Sequence, residues 1–437
     1  MGVPRSRQLL CLTASSFLFG PWVSPATSQL LGPEFQVNST TAGQQRNPAV
    51  AADGLGNFVV VWQSYPQDGS NYGVIGQRFN SAGAKIGSEF LVNNYTTDLQ
   101  TRPAVAADSS GNFVVLWGSV GPDGSNYGVV GQRYDPGGGE LGSEFQVNSY
   151  TTSIQRFPAV AADGAGNFVV VWDSLNQDGS EYGVFGQRFD SAGGSVGSEF
   201  QVNTHISSSQ SGPAVATGPS GNFVVAWTSF AQDGSSYGVF GQAFDAAGSE
   251  VGSEFQVNAF TTSHQRRPAV ATDASGNFVV VWDSYLQDGD SLGVFGQRFD
   301  STGTKVGSEF LVNSTTTGAQ SAPRMAMDGS GKFVVAWLSN PQDGSYEGVF
   351  GQRFDAVARK VGSEFRINSY TTGRQERTAV AADGSGNFVV AWQSPSQDGS
   401  LYGVFGQRLR NWIFHGDFEG GDVCAWSAQV GSGDTCP

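Results

Sequence analysis

Short apolar runs, bounded by glycine, aspartate, asparagine and serine, recur along this chain at one fixed interval. The clearest is Gly56-Asn57-Phe58-Val59-Val60-Val61-Trp62, which returns at 111–117, 166–172, 221–227, 276–282, 331–337 and 386–392. Its tryptophans are Trp62, Trp117, Trp172, Trp227, Trp282, Trp337 and Trp392, and Trp62 and Trp117, like every later pair, stand 55 residues apart. Such strict self-similarity means one array or ring rather than several domains.

The second copy shows the pattern of one repeat. Glu89–Asn93 reads as a short strand, followed by a polar loop to Arg102. Pro103–Asp108 is a second strand of small apolar residues, and Ser109–Asn112 a tight turn. Phe113–Trp117 is the third strand, and a longer loop leads to the fourth, Gly128–Tyr134. Valine and aromatic residues suit a pleated, packed surface, and Gly, Asp, Asn and Ser supply the turns. No helical period of useful length interrupts them. Phe113–Trp117 is apolar on both faces, so both faces of its sheet are expected to be buried.

Seven repeats of four short antiparallel strands predict an all-β, seven-bladed β-propeller. The ends support closure. The chain opens with a Glu-Phe-x-Val-Asn strand, Glu34–Asn38, and its last copy stops at Gly403–Arg410 without one. With Pro-Ala-Val as the innermost strand, Glu34–Asn38 completes the last blade from outside and removes two open edges. The predicted organisation is a signal peptide over 1–28, the propeller over 29–410 with repeats starting at 34, 89, 144, 199, 254, 309 and 364, and a tail over 411–437.

Composition agrees. Among 437 residues there are 61 Gly, 31 Phe and 10 Trp, with 14% charged and 39% hydrophobic, a turn-rich composition with ample core. The net charge of −15 repels phosphate backbones and anionic lipid, which argues against nucleic acid and membrane surfaces as partners. Arg5 and Arg7, the apolar Leu9–Phe19 and Ala26-Thr27-Ser28 read as a secretory signal, with a buried N-terminal strand as the alternative. No other segment is long and apolar enough to insert in a membrane. A secreted or cell-surface protein, monomeric, is expected. Cys424 and Cys436 in the tail are expected to form a disulfide, and no Cys/His spacing suggests zinc.

A role needed in every blade repeats, whereas a single ligand site breaks the symmetry. Seven-fold residues include the Glu of Glu-Phe (Glu34, Glu89 and onward), the following Asn (Asn38, Asn93 and onward) and a loop Gln (Gln45, Gln100 and onward). Arg78 recurs except in the fourth copy, which has Ala243. These are read as turn hydrogen bonds and an Arg–Glu pair between neighbouring strands. No cofactor is expected. Asp68, Asp123, Asp178, Asp233, Asp288, Asp343 and Asp398 are weak calcium candidates, because each loop offers one carboxylate and calcium takes six to eight oxygens. Asp53-Gly54-Leu55-Gly56 resembles part of an Asp-box without its full spacing.

Variation collects in two loops, before the inner strand and after the tryptophan, which antiparallel geometry puts on one face of the ring. Varied loops on a rigid scaffold mark a binding face. Arg46, Arg102, Arg156, Arg266, Arg267, Arg374 and Arg377 precede inner strands there, with His205 and His264 in the same loops and Tyr65, Phe230 and Tyr285 in the other. Such cations would hold an anionic or sugar ligand, or simply pair with loop aspartates. Catalytic motifs are absent: there is no Gly-x-Ser-x-Gly elbow, His-Glu-x-x-His or phosphate loop.

The composite of Gly-Ser-Glu-Phe-x-Val-Asn, Gly-Asn-Phe-Val-Val-x-Trp, Gln-Asp-Gly-Ser and Tyr-Gly-Val-Phe-Gly-Gln-Arg-Phe, over Glu34–Arg410, resembles tandem repeats of large secreted bacterial surface proteins. Some of those also carry repeats-in-toxin calcium nonapeptides, which are absent here. Phe414–Ser427 resembles the Asp-Gly-Phe-Glu-Ser-Gly-Asp ends of some secreted bacterial proteins, which implies a handling or attachment tag, with a small disulfide-closed appendage as the alternative. The leading expectation is a non-catalytic binding or adhesion module for a carbohydrate or cell-surface protein. The alternatives are a purely structural surface repeat protein and a propeller hydrolase or lyase acting on polysaccharide.

Overall fold

The computed structural model describes residues 29–122, 124 and 126–410. The expected signal peptide, Asp123 and the Cys424–Cys436 disulfide lie outside them. Seven four-stranded antiparallel sheets form a ring, and no helix is present among the described residues. In blade 1 the strands run from the axis outward as Gln44–Ala52, Phe58–Tyr65, Gly73–Phe79 and Lys85–Leu91. Blades 2 to 6 repeat this order. Blade 7 has inner strands Glu376–Ala382, Phe388–Ser394 and Gly403–Leu409, and its outer strand is Phe35–Gln36 from the other end of the chain. This is the expected closure. It extends beyond the paired strand, since Leu31 donates its N–H to the Arg408 carbonyl and Val37 donates to that of Val404.

The core is seven interfaces, each shared by two blades. Trp62, Val60, Phe58 and Phe79 of blade 1 pack with Val389, Ala391 and Val404 of blade 7. All seven repeat tryptophans are fully buried in such clusters. Both faces of the second strand are therefore covered, as its unbroken apolar run predicts. Six of the interfaces also carry three rings, as where Phe58 stacks on Phe79 at 4.7 Å and Phe35 from the preceding blade tilts against Phe79 at 5.4 Å, while between blades 6 and 7 Leu409 takes the place of one ring.

The repeated glycine of Val-Phe-Gly-Gln-Arg follows from this packing. A β-carbon on Gly186 would lie 2.7 Å from the Phe200 ring of the adjoining outer strand. Another is required by the inner turn, where Gly56 has φ +84°. There Asp53 Oδ1 accepts the N–H groups of Leu55 and Asn57, and Asn57 Nδ2 donates to Asp53 Oδ2.

Candidate functional site

The two faces of the ring are built differently. One carries the Asp-x-x-Gly turns and the turns between third and outer strands. The other carries the loops that enter each blade and the loops after each tryptophan, which hydrogen-bond each other, as where Gln100 donates its N–H to the Tyr72 carbonyl. The varied residues thus share one face.

Most repeated polar residues join loops and blades. Glu89 accepts from the N–H of Ser39 and of Thr40 (3.2 Å), the Thr40 hydroxyl (2.8 Å) and Gln67 Nε2 (2.9 Å). Burial alone would raise this carboxyl, but the hydrogen bonds from Ser39, Thr40 and Gln67 hold it below its ordinary value. The glutamate therefore pins the loop entering a blade to that blade's outer strand. Glu34 does the same for Ser369 and Gln397 across the closure.

The expected Arg–Glu pair does not form. Arg78 instead donates to the Pro136 carbonyl of the next blade, at 2.8 Å, and Arg188 to that of Ala246, at 2.9 Å. The glutamate already accepts hydrogen bonds from the loop, and the arginine reaches a carbonyl in a turn of the neighbouring blade.

Buried Asn38 accepts from Val404 N–H and donates to the Thr40 carbonyl, and Gln45 donates to the Ala42 carbonyl. Of the calcium candidates, Asp68, Asp178, Asp233, Asp343 and Asp398 each accept the N–H two residues on. Asp288 instead accepts from Asn313 Nδ2. Among the described residues no three His, Cys, Asp or Glu converge as a metal-binding group.

At the axis the inner strands begin with a bulge. The register slips between Arg46 and Ala49 and at the same place in every blade. The residue before the proline, or before Thr378 in blade 7, has left-handed φ: Asn47, Arg102, Phe157, Gly212, Arg267, Ala322 and Arg377 lie between 51° and 64°. For a non-glycine residue this conformation costs about 1–3 kcal/mol. Its N–H is often captured by the residue after the previous blade's tryptophan. Gln63 Oε1 accepts from Arg102, Gln393 Oε1 from Asn47, Asp173 Oδ1 from Gly212 and Asp283 Oδ2 from Ala322.

These bulges line an axial channel of about 610 Å³. Arg102, Arg156, Arg267, Arg324 and Arg377 all border it. Asp173 and Asp283, both fully buried, face the arginines: Arg156 Nε is 3.8 Å from Asp173 and Arg267 Nη1 is 3.3 Å from Asp283. Burial nevertheless outweighs the arginines and pushes Asp173 up to about 7, and it raises Asp283 as well. Burial and the neighbouring guanidiniums of Arg377 and Arg156 lower Arg102. Burial, then Arg377 and Arg267, lower Arg324, although its side chain still meets channel solvent.

Four of the seven arginines singled out from sequence thus converge, and three do not line the channel. Arg46 lies over the Tyr402 ring at 4.0 Å, Arg266 over Tyr237 at 5.9 Å, and Arg374 pairs with Glu347 at 3.1 Å. Sequence reasoning missed Arg324, Asp173 and Asp283. The signals were there: Arg324 replaces alanine in Pro-Ala-Val, and the two aspartates follow the tryptophan where other copies have Gln, Gly, Thr or Leu.

The aromatic candidates separate too. Phe230, Tyr237, His264 and Tyr285 form a row across blades 4 and 5, with centroid spacings of 5.0, 5.8 and 6.2 Å. Phe230 and Tyr285 remain 39% and 38% exposed. Tyr65 makes a separate pair with Tyr72 in blade 1. His205 sits in the loop into blade 4, with its N–H on Glu254 and its carbonyl on Asn203.

Neither a family model nor a curated protein matches the chain. Solved structures do. A protein of unknown function from Dyadobacter fermentans shares 10% identity over 86% of this chain and 98% of its own, with a TM-score of 0.52. A polysaccharide lyase, an ulvan lyase bound to a glucuronate–sulfated rhamnose disaccharide, shares 10% over 85% and 95%, with a TM-score of 0.53. A fungal alcohol oxidase in complex with copper shares 12% over 88% and 77%, with a TM-score of 0.52. At these identities the likeness is one of fold: this chain is a seven-bladed β-propeller.

Proposed function

We propose that this propeller is an exported carbohydrate-binding module whose ligand lies on the face of varied loops. The observation that carries the reading is the row Phe230–Tyr237–His264–Tyr285. It occurs on two neighbouring blades only, leaves two rings partly exposed, and is braced by Arg266 over Tyr237. A row of partly exposed rings offers an apolar body with polar tips, the combination that stacks on a sugar ring while hydrogen-bonding its hydroxyls. The ulvan lyase of similar fold acts on a polysaccharide, which is compatible with a saccharide ligand here. Export through residues 1–28 and a disulfide between Cys424 and Cys436 belong to the same reading.

The test is a glycan array with the mature full-length protein, followed by titration of the best hit. Phe230→Ala and Tyr285→Ala are expected to weaken it at least tenfold each. The corresponding positions in the other five blades hold Tyr65, Val120, Leu175, Asn340 and Pro395, and the last four show that the fold tolerates the loss of a ring there. Silence across neutral and acidic glycans, or a hit indifferent to both substitutions, would overturn the reading.

A further inference from the structure

The channel arginines form a feature separate from the aromatic row. Five guanidiniums border one space, and among the described residues the carboxylates facing them are Asp173 and Asp283. Three positive charges are left over, inside a protein whose net charge is −15. Arg102, Arg324 and Arg377 make no ion pair among the described residues. Each instead depresses, or is depressed by, another arginine. Three of the five, Arg102, Arg267 and Arg377, are presented from a left-handed backbone that asparagine or glycine would adopt at lower cost. Blade chemistry does not ask for arginine there, since Asn47, Phe157, Gly212 and Ala322 fill the same place in the other blades. Arg324 is more telling, because the other six blades have alanine at its position.

Packed like charges on strained positions are stabilised by an anion. The guanidinium fork matches planar or tetrahedral oxyanions and binds them with two parallel hydrogen bonds. The channel volume of about 610 Å³ admits a group of that size with water. Bulk attraction cannot supply such binding, because an acidic protein repels anions at long range.

We propose that the arginine-lined channel binds an oxyanion group, a carboxylate or sulfate, borne by the saccharide that lies on the varied face. For the rest of that ligand the proposal relies on the carbohydrate reading. The anion site itself does not, and the two are tested apart.

Four probes are titrated into the full-length protein by calorimetry at constant ionic strength: inorganic sulfate, a neutral oligosaccharide, its uronate-bearing counterpart and its sulfated counterpart. Arg324→Ala and Arg102→Asn are measured beside the parent. Both place in one blade a residue another blade already carries, so both should fold, and an unchanged melting profile checks it. The expected result is saturable sulfate binding and at least tenfold preference for the acidic saccharides, with both lost in either variant. The relative strength of the uronate and sulfated arms tells which acidic group the channel prefers. If sulfate binds and no saccharide does, the anion site stands and the carbohydrate reading falls. Neutral and acidic saccharides binding equally, with no saturable sulfate signal, would sink the anion site and leave the carbohydrate reading intact. Sulfate binding that survives both substitutions would also sink it.

Discussion

Asp173 shows how one buried side chain can set the charge of the whole channel. Its carboxyl is pushed up to about 7 by burial, from an ordinary value of 3.8, despite Arg156 at 3.8 Å. Between those values the folded protein holds a proton that the unfolded chain has lost. The group's contribution to stability is therefore lost as pH rises through that window, by up to about 1.4 kcal/mol per unit. Melting of the parent should fall more steeply between pH 5 and pH 8 than melting of Asp173→Asn. The same proton adds one net positive charge to the channel, so sulfate affinity should rise more on acidification through pH 7 in the parent than in the variant, where Asp283, also raised by burial, is the remaining carboxyl facing the arginines. Scanning calorimetry and titration at three pH values read both. A parent and variant that run parallel would show that Asp173 is ionised throughout.

At the scale of the element, much was legible in advance. Strand order, the turn at Asp53–Gly56 and the N-terminal outer strand follow from apolar runs bounded by turn residues, because each is a local consequence of composition. The axial bulge was not, since nothing in Arg-Arg-Pro or Ser-Gly-Pro announces a left-handed residue whose N–H is held by the preceding blade. Nor were the partners of the repeated glutamates and arginines: strict periodicity makes every copy equally distant, so position alone cannot say whether a bond stays within a blade or crosses to the next. The glutamate clamp gives a quantitative check. Glu254 accepts from Thr204 N–H and hydroxyl, His205 N–H and Gln232. In blade 2 the glutamine is replaced by Pro122, and Glu144 receives the Asn94 N–H at 2.8 Å. Hydrogen bonds to a charged group contribute about 1.5–3 kcal/mol. Glu254→Ala should therefore destabilise by about 2–3 kcal/mol in denaturant melts, and Glu144→Ala by clearly less. Equal losses would mean that the clamp energy does not come from the glutamine and loop contacts.

For the whole molecule the decisive contact is the one between the two ends. Without Leu31–Asn38, blade 7 keeps three strands, and the Gly403–Leu409 edge loses the pairing of Phe35 with Gly406 and the Val37 bond to Val404. Asn38 no longer accepts the Val404 N–H, and Ser369 and Gln397 lose Glu34. The interface between blades 7 and 1 loses Val37 outright, together with the ring of Phe35 against Phe58 and Phe79. A fully buried valine and a large part of a phenylalanine are each worth about 1.5–3 kcal/mol. Without Phe35–Gln36 the longer Gly403–Leu409 strand becomes the outer edge of blade 7, able to pair with another copy. Deletion of 31–38 is therefore expected to lower the melting temperature by well over 2 °C on the usual scaling for a chain of this size, and to produce dimers or larger species in size-exclusion chromatography. Adding a peptide spanning 29–40 in trans should restore part of the lost melting temperature, because it offers the edge its own partner. A truncated protein that melts within about 2 °C of the parent and stays monomeric would mean that the other six interfaces hold the ring without the N-terminal strand.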